Sequence, residues 1–140
     1  MIEYTNNLEH IDETMLYGFF VGWYDHPSES GLLKILKGSF KIWLALDTEN
    51  HKVVGFITAI SDGVLSSYIP LFEVLPHYQH RGIGKKLFSL MKESLKDMYM
   101  IDVMHDEELS SFYARQGMGK AIGSIIRNYE RQTIDRIDIK

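Results

Sequence analysis

The sequence of 140 residues lacks cysteine, lacks a long apolar run and carries no excess of positive charge. Without cysteine, disulfide bonds, zinc–thiolate sites and a cysteine nucleophile are excluded. The apolar runs are too short to cross a bilayer, which takes about 20 residues, and no basic region precedes an apolar one at the amino terminus. A net charge of −4 disfavours a broad nucleic-acid-binding surface. We therefore expect a cytoplasmic protein that binds neither membranes nor nucleic acids.

The residues that are present are typical of one globular domain. Hydrophobic residues make up 45% and charged residues 24% of the chain, which is ordinary for a soluble globular protein. Domains commonly contain about 100 to 150 residues. The sequence therefore predicts a single domain over residues 1–140. Within it, the residues from about 130 onward form a last strand, a partner-binding edge or a frayed end.

Residues 67–95 predict a strand, a glycine-containing turn and an amphipathic helix. Aromatic and branched residues dominate residues 68–75, as they do in strands, and Pro76 should end that strand because it has no N–H to donate. Beyond the turn, apolar residues recur at spacings of three and four, on one face of a helix: Ile83, Leu87, Leu90, Met91 and Leu95. Gly82 and Gly84 therefore stand where a helix begins.

This helix start is a natural anion site. Its N–H groups point outward without helical partners, and the helix dipole makes that end electropositive. Gly82 and Gly84 let an anion approach the backbone, since neither has a Cβ. Positive charge adjoins them at Arg81, Lys85 and Lys86. A dinucleotide fingerprint would need glycine where Leu87 stands, and a nucleotide-triphosphate loop would need serine or threonine there, so both are disfavoured.

Residues 79–84, Gln-His-Arg-Gly-Ile-Gly, resemble the acyl-coenzyme A loop of the GCN5-related N-acetyltransferase (GNAT) family. That loop has glutamine or arginine, two variable residues, glycine, one variable residue, and then glycine or alanine. The strand end Val-Leu-Pro at residues 74–76 is also typical of the family. The alternative is an ordinary strand, turn and helix whose glycines ease a tight turn. The resemblance implies acetyl-coenzyme A (acetyl-CoA) as co-substrate and a site for it at Val74, Leu75, Gln79, His80, Arg81, Gly82, Ile83, Gly84, Lys85 and Asp106.

The implied fold is α/β (α+β), a single GNAT-like domain with a mixed, mostly antiparallel central sheet flanked by helices. Sequence patterns predict strands over residues 2–4, 41–46, 53–60, 68–75, 98–103 and 118–126, and helices over residues 8–23, 32–36, 83–95 and 106–116. A kink or break is expected near Gly22. Short connections between the second, third and fourth strands indicate an antiparallel meander, and the strand, helix and strand that follow allow parallel pairing. In the resembled family these last two strands splay apart and admit the pantetheine arm.

Residues 112–118, Phe-Tyr-Ala-Arg-Gln-Gly-Met, resemble a second motif of the family. Tyr113 and Gly117 fit this motif, while Met118 replaces the usual phenylalanine. Seven residues before the tyrosine the family often has an asparagine that contacts the cofactor arm, and here Asp106 occupies that position. The resemblance implies that Tyr113 is the acid that donates to the leaving sulfur. The alternative is a half-buried tyrosine with a structural hydrogen-bond partner.

Acyl transfer to an amine needs a base more than it needs an acid. An amine with a pKa of about 10.4 loses its proton near neutral pH at a cost of about 4 to 5 kcal/mol, whereas protonating a thiolate whose thiol has a pKa of about 8.5 gains about 2 kcal/mol. Glu73 is the candidate base, or the anchor of a water relay, since it lies in the strand that faces the thioester in the resembled family. The alternative is a solvent-facing strand residue. Asp62 and His77 are weaker candidates for acceptor binding or proton relay.

Two further features complete the expected site. Carbonyl polarisation would come from a backbone N–H near Val74 or Leu75, freed by a bulge in the strand. Aromatic residues of the early helical region would line the acceptor pocket, although Phe19 and Phe20 are alternatively core residues: Phe19, Phe20, Trp23 and Tyr24. No metal site is indicated, because the histidines near the loop have no third ligand at a recognisable spacing. No serine-hydrolase elbow occurs either.

The first hypothesis is an N-acetyltransferase that moves the acetyl group of acetyl-CoA to a primary amine by direct attack in a ternary complex. The acceptor would be a small molecule or a protein amino group, and the protein would be a homodimer, as such domains often are. A second hypothesis is a non-catalytic acyl-CoA-binding sensor or regulatory module, which the departure at Asp106 and the alternative of a solvent-facing Glu73 leave open. A structural or interaction domain is the third.

Overall fold

The computed structural model describes residues 1–134, which form one mixed sheet with helices on both faces. The strands are β1 (Ile2–Thr5), β2 (Lys41–Asp47), β3 (Lys52–Ser61), β4 (Ser66–Ile69), β5 (Phe72–Val74) and β6 (Met100–Val103). The α-helices are α1 (Glu29–Gly38), α2 (Ile83–Ser94) and α3 (Ser110–Arg115). The strands lie in the order β1-β2-β3-β4-β6, and β5 also pairs with β3.

The antiparallel meander is confirmed. β1 pairs with β2, and β2 pairs with β3, in antiparallel registers. The polar turn between β2 and β3 is stabilised by Asp47, whose Oδ1 accepts from the N–H of Glu49 at 3.1 Å and from that of Asn50 at 3.3 Å. The predicted parallel pairing is also present, between β4 and β6.

The strand predicted over residues 68–75 is two strands, and the break shapes the sheet. Pro70 cannot donate a ladder hydrogen bond, although the carbonyl of Leu71 still accepts from the N–H of Thr58 at 2.9 Å. Before the break, β4 pairs with both β3 and β6. After it, β5 pairs with β3 alone. Within residues 1–134 the sheet is therefore open between β5 and the end of β6, as the resemblance implied.

The two faces of the sheet are covered by different parts of the chain. Helix α2 covers one face, where the Trp43 Nε1 donates to the Ser94 Oγ at 2.9 Å. A Cβ on Gly55 would stand 3.0 Å from Leu87, so the helix lies close to the strand there. Residues 8–38 cover the opposite face, where Phe19 packs edge-on against Phe56 with ring centroids 4.9 Å apart.

The helix predicted over residues 8–23 is wrong. Backbone φ angles of 97° at Gly18, 64° at Phe20 and 86° at Gly22 are left-handed and incompatible with a continuous helix. A single 3₁₀ turn, Glu13–Met15, forms instead. The spacing of three and four reflects a chain that turns repeatedly and buries Ile11, Met15, Leu16, Phe19 and Phe20 against the sheet.

The strand predicted over residues 118–126 is wrong as well. Residues 118–128 have no regular secondary structure, and residues 119–128 are exposed. No backbone–backbone hydrogen bond joins residues 119–127 to any described residue. Farther on, Tyr129–Arg131 is a 3₁₀ turn, and the side chain of Ile134 lies against Gly31. Most of the tail expected beyond residue 130 lies outside the described residues.

Candidate active site

The start of α2 forms an open cradle of backbone N–H groups. Gly82 precedes the helix in the left-handed conformation, with a φ of 82°, and no side chain caps this end. The first intrahelical bond to it runs from the N–H of Lys86 to the carbonyl of Gly82 at 3.0 Å. The N–H groups of the first turn therefore have no helical acceptor. A Cβ on Gly82 would meet no atom within 4 Å, so space is open in front of these groups.

The loop before this cradle is tied to the sheet by side chains. Gln79 donates from Nε2 to the carbonyl of Val74 at 2.9 Å, and the Tyr78 hydroxyl donates to the Asp47 Oδ2 at 2.6 Å. Hydrogen bonds from Tyr78 and Asn50 lower the pKa of Asp47 to about 2. The Arg81 guanidinium lies 5.0 Å from the centre of the Tyr78 ring. The sequence did not indicate that Asp47 and Tyr78 hold this loop, because the two residues lie in different elements and far apart in the chain.

The opening beside β5 presents backbone groups at Val74 and not at Leu75. The N–H of Leu75 donates to the carbonyl of Val54 at 2.9 Å, so the expectation of a freed amide at Leu75 is wrong. Because an antiparallel ladder alternates, the N–H and carbonyl of Val74 point away from β3. A Cβ on Gly84 would stand 3.7 Å from the side chains of both Phe72 and Val74. The start of α2 therefore lies directly against β5.

Tyr113 lies on α3 among other rings, with 6% of its surface exposed. Its ring stacks on His105 with centroids 4.4 Å apart and meets Phe88 edge-on at 5.7 Å. Burial raises the pKa of Tyr113 to about 12, so the hydroxyl is protonated at neutral pH. No hydrogen bond within residues 1–134 involves this hydroxyl. The alternative in which Tyr113 has a structural hydrogen-bond partner is therefore not supported.

Glu73, in β5, is engaged with a distant loop. Its Oε1 accepts from the N–H of Phe20 at 2.8 Å, and its Oε2 accepts from the N–H of Val21 at 3.2 Å. The carboxylate therefore holds the loop at residues 20–21, where Phe20 has a left-handed backbone. Each oxygen keeps a further lone pair. Glu73 is thus more than a solvent-facing strand residue.

A cavity of about 330 Å³ brings the two proposed catalytic side chains together. Glu73 and Tyr113 both line it, as do Phe20 and Trp23 from the early loop. Phe19 instead packs in the core, and Tyr24 is 97% exposed and does not line the cavity. Of the four aromatic residues expected to line the acceptor pocket, two therefore line the cavity, whereas Phe19 is a core residue and Tyr24 is exposed.

His105 was not anticipated from the sequence. It follows β6, lines the same cavity and stacks on Tyr113. Its Nδ1 lies 2.8 Å from the carbonyl oxygen of Asp106. Because a carbonyl can only accept, Nδ1 carries a proton and Nε2 is the nitrogen that can accept one in the neutral ring. No local motif marks this histidine; its position becomes evident only when β6 and α3 are packed together.

The remaining candidates fall inside and outside the cavity. Asp106 lines it, and its side chain caps no helix N–H. Asp62 lies elsewhere, where its Oδ1 accepts from the N–H groups of Val64, Leu65 and Ser66, and these bonds lower the pKa of Asp62. His77 is exposed and does not line the cavity. The structure thus offers no support for an acceptor or relay role at Asp62 or His77.

Residues 1–134 contain neither a metal-binding cluster nor a membrane-spanning helix. No group of three or more histidine, aspartate or glutamate side chains there could hold a metal ion. None of the helices in that part of the chain has the length and apolar character needed to traverse a membrane.

Comparison with known proteins identifies the family. The model of the acetyltransferase (GNAT) domain matches residues 38–117. A crystal structure of a proposed acetyltransferase from Deinococcus radiodurans has 35% identity and a TM-score of 0.90, over 94% of this chain and 91% of that one. A GNAT-family acetyltransferase from Streptococcus pneumoniae has 30% identity and a TM-score of 0.71, over 91% and 98%. The chain therefore belongs to the GNAT acetyltransferase family.

A more distant structure shares the fold alone. Glucosamine-6-phosphate N-acetyltransferase from Arabidopsis thaliana has 11% identity and a TM-score of 0.71, over 92% of this chain and 99% of that one. No curated protein matches this chain.

Proposed function

We propose that this protein transfers the acetyl group of acetyl-CoA to a primary amine by direct attack within a ternary complex. The observation that carries the proposal is the position of β5. On one side, Phe72 and Val74 contact Gly84 at the start of α2. On the other, Glu73 lines the cavity that contains Tyr113. An anion-binding cradle and a pair of ionisable side chains thus meet across one short strand.

The residues present fit the pyrophosphate and arm of acetyl-CoA. The open N–H groups of Ile83, Gly84 and Lys85 would hold phosphate, and the exposed Arg81 and Lys85 side chains add positive charge. Val74 would pair with the arm through its outward N–H, while Gln79 keeps the loop against β5. His80 and Asp106 would border the bound molecule. When bound, acetyl-CoA supplies an acetyl group activated as a thioester.

The reaction would move one proton in total, from the amine to the sulfur. The amine nitrogen bonds to the carbonyl carbon, the carbon–sulfur bond breaks, and the proton lost by nitrogen is the one that sulfur finally gains. Glu73, or a water held by it, would accept the proton of the amine. Full transfer from Tyr113 to a thiolate would be uphill by about 5 kcal/mol, given a tyrosine pKa of about 12 and a thiol pKa of about 8.5. Tyr113 therefore acts as a hydrogen-bond donor to the leaving sulfur.

A non-catalytic acyl-CoA sensor is the second candidate. It is favoured by one observation: both oxygens of Glu73 already accept backbone N–H groups, which gives this residue a structural role. We further propose a cytoplasmic location, which the absence of cysteine supports.

A thiol-release assay with acetyl-CoA and a panel of amines separates these functions. The panel includes small amines, polyamines, aminoglycosides and peptides with free amino groups. We expect turnover with at least one class, and Tyr113→Phe should lower the rate about 100-fold with unchanged acetyl-CoA affinity. Thermal stabilisation by acetyl-CoA without turnover on any amine would support the sensor. The absence of any thermal shift would reject both.

A further inference from the structure

The lining of the cavity beside β5 indicates what kind of acceptor it can hold. Four residues with polar or ionisable side chains line it: Glu73, His105, Asp106 and Tyr113. The other described residues of the lining are apolar or aromatic. Phe56 stands opposite Glu73 in the ladder between β3 and β5, so their side chains share one face of the sheet. A pocket with such a lining favours a ligand with an apolar body and few polar groups.

Phe20 and Trp23 form an aromatic wall of the cavity. Their ring centroids lie 4.8 Å apart, and the N–H of Trp23 donates to the carbonyl of Phe20 at 3.1 Å. Glu73 in turn holds the N–H of Phe20 at 2.8 Å, so the wall is fixed beside the carboxylate. Trp23 is 43% exposed and therefore has ring surface that a ligand can cover. Such a face attracts both an apolar ring and a cationic amine.

The full charges of the cavity lining are of one sign. Glu73 and Asp106 contribute carboxylates, and none of the described residues in the lining is lysine or arginine. The exposed Arg81 and Lys85 lie instead at the start of α2. A cationic amine is therefore attracted to the cavity, whereas a phosphate or carboxylate on the acceptor would meet like charge.

We propose that the acceptor is a small arylalkylamine, with one aromatic ring and no anionic group. This inference rests on the proposed acetyl transfer and names its acceptor class. The ring packs on Phe20 and Trp23, and the amine lies beside Glu73. The cavity of about 330 Å³ is at the small end of ligand pockets, which span about 300 to 1,000 Å³. Nitrogen bonds to the acetyl carbon as the carbon–sulfur bond breaks, and sulfur gains the proton, so the products are an uncharged amide and coenzyme A.

Four amines at saturating acetyl-CoA test the class: 2-phenylethylamine, ethylamine, phenylalanine and spermidine. For 2-phenylethylamine, kcat/KM should exceed that for ethylamine about 10- to 100-fold, because ethylamine has no ring to bury. It should exceed that for phenylalanine, which adds a carboxylate to the same skeleton, about 100-fold. Spermidine should be as poor as ethylamine, because its further charges would lie on apolar groups. A value for any of these three that equals or exceeds that for 2-phenylethylamine would overturn the proposal.

Two variants test the ring and the charge separately. Trp23→Ala should reduce the preference for 2-phenylethylamine over ethylamine about tenfold. Leu109→Arg places a cation in the lining at a residue that is 45% exposed, and it should raise kcat/KM for phenylalanine about tenfold. Val64→Arg is the control, because Val64 is 78% exposed and does not line the cavity. An equal gain for Leu109→Arg and Val64→Arg, or an unchanged preference in Trp23→Ala, would contradict the proposal.

Binding in the presence of coenzyme A separates this inference from the proposed function, since coenzyme A has no acetyl group to transfer. Calorimetry on the full chain saturated with coenzyme A should show that 2-phenylethylamine binds about 100-fold more tightly than phenylalanine. That preference without turnover of any amine would support the acceptor class and reject acetyl transfer. Turnover of another amine, with no binding of 2-phenylethylamine, would reject the acceptor class and leave acetyl transfer in place.

Discussion

Two loops border the candidate active site, and they are held in place in different ways. The loop at residues 79–84 leads directly into α2, and its helix, glycines and basic residues are close together in the sequence. The loop at residues 17–23 is held by distant side chains. Glu73 accepts from Phe20 and Val21 across more than 50 residues, and the Lys52 Nζ donates to the carbonyl of Tyr17 across 35. The cofactor side of the site is thus encoded locally, and the acceptor side is encoded by tertiary contacts.

The largest effect should come from removing the main tie of the acceptor loop. Glu73→Ala leaves the N–H groups of Phe20 and Val21 without their acceptor and removes the proposed base, so kcat/KM should fall by about 100-fold or more. Acetyl-CoA affinity, measured by titration calorimetry, should stay within about twofold because α2 is untouched. Glu73→Gln is the control, since its amide oxygen retains one acceptor.

The control separates the two roles of Glu73. We expect Gln to recover part of the lost melting temperature but little of the rate, because an amide cannot accept the proton of the amine. Equal rates for Glu73→Gln and the wild type would remove the base from the mechanism and leave a loop-positioning residue.

The next effect concerns the cofactor loop alone. Gly82→Ala places a side chain on a backbone with a φ of 82° and in the open space before the N–H groups. Acetyl-CoA affinity should fall about tenfold. Gly38→Ala is a matched control, because a Cβ there also meets nothing within 4 Å but the φ is not left-handed. If the two variants bind acetyl-CoA equally well, the cradle at Gly82 does not hold it.

The contrast between the loops explains what the sequence could predict. The hairpin of β2 and β3, the start of α2 and the parallel pairing of β4 with β6 each follow from local patterns and short connections. The predicted helix over residues 8–23 was wrong because its apolar spacing arises from a turning chain that three left-handed residues bend. The spacing of apolar residues indicates which side chains are buried, but it does not determine the backbone conformation that buries them.

The same limit applies to the site. Resemblance to two short motifs was enough to select Tyr113, which lines the cavity, and the loop at Gly82, which precedes the open start of α2. The hydrogen bonds of Glu73 to residues 20–21 and the stacking of His105 on Tyr113 join elements far apart in sequence. No local pattern specifies such pairs, because they depend on the relative placement of whole strands and helices.

A smaller effect should follow from the second tie of the acceptor loop. Lys52→Met removes the donor to the carbonyl of Tyr17, which lies 2.7 Å from the Nζ. The loss should cost about 1 kcal/mol of unfolding free energy and lower the melting temperature by about 3 to 5 °C. Lys34→Met, at an exposed position of α1, should leave the melting temperature unchanged. If Lys52→Met weakens acetyl-CoA binding by a larger factor than it raises the KM for the amine, the division between the two loops is contradicted.

The smallest effect at neutral pH tests whether the cofactor loop is purely local. Tyr78 donates to Asp47 across 31 residues, and this hydrogen bond is the main reason that the pKa of the carboxyl is lowered from its ordinary value of 3.8 to about 2. A lowered pKa stabilises the fold above the unfolded value, and this stability is lost as the pH falls from about 4 toward 2. Tyr78→Phe removes the main cause of the shift, so melting temperature measured from pH 5 to pH 2 should fall less steeply than in the wild type. Parallel profiles would show that Asp47 and Tyr78 are uncoupled, and the loop before α2 would then depend on local sequence alone.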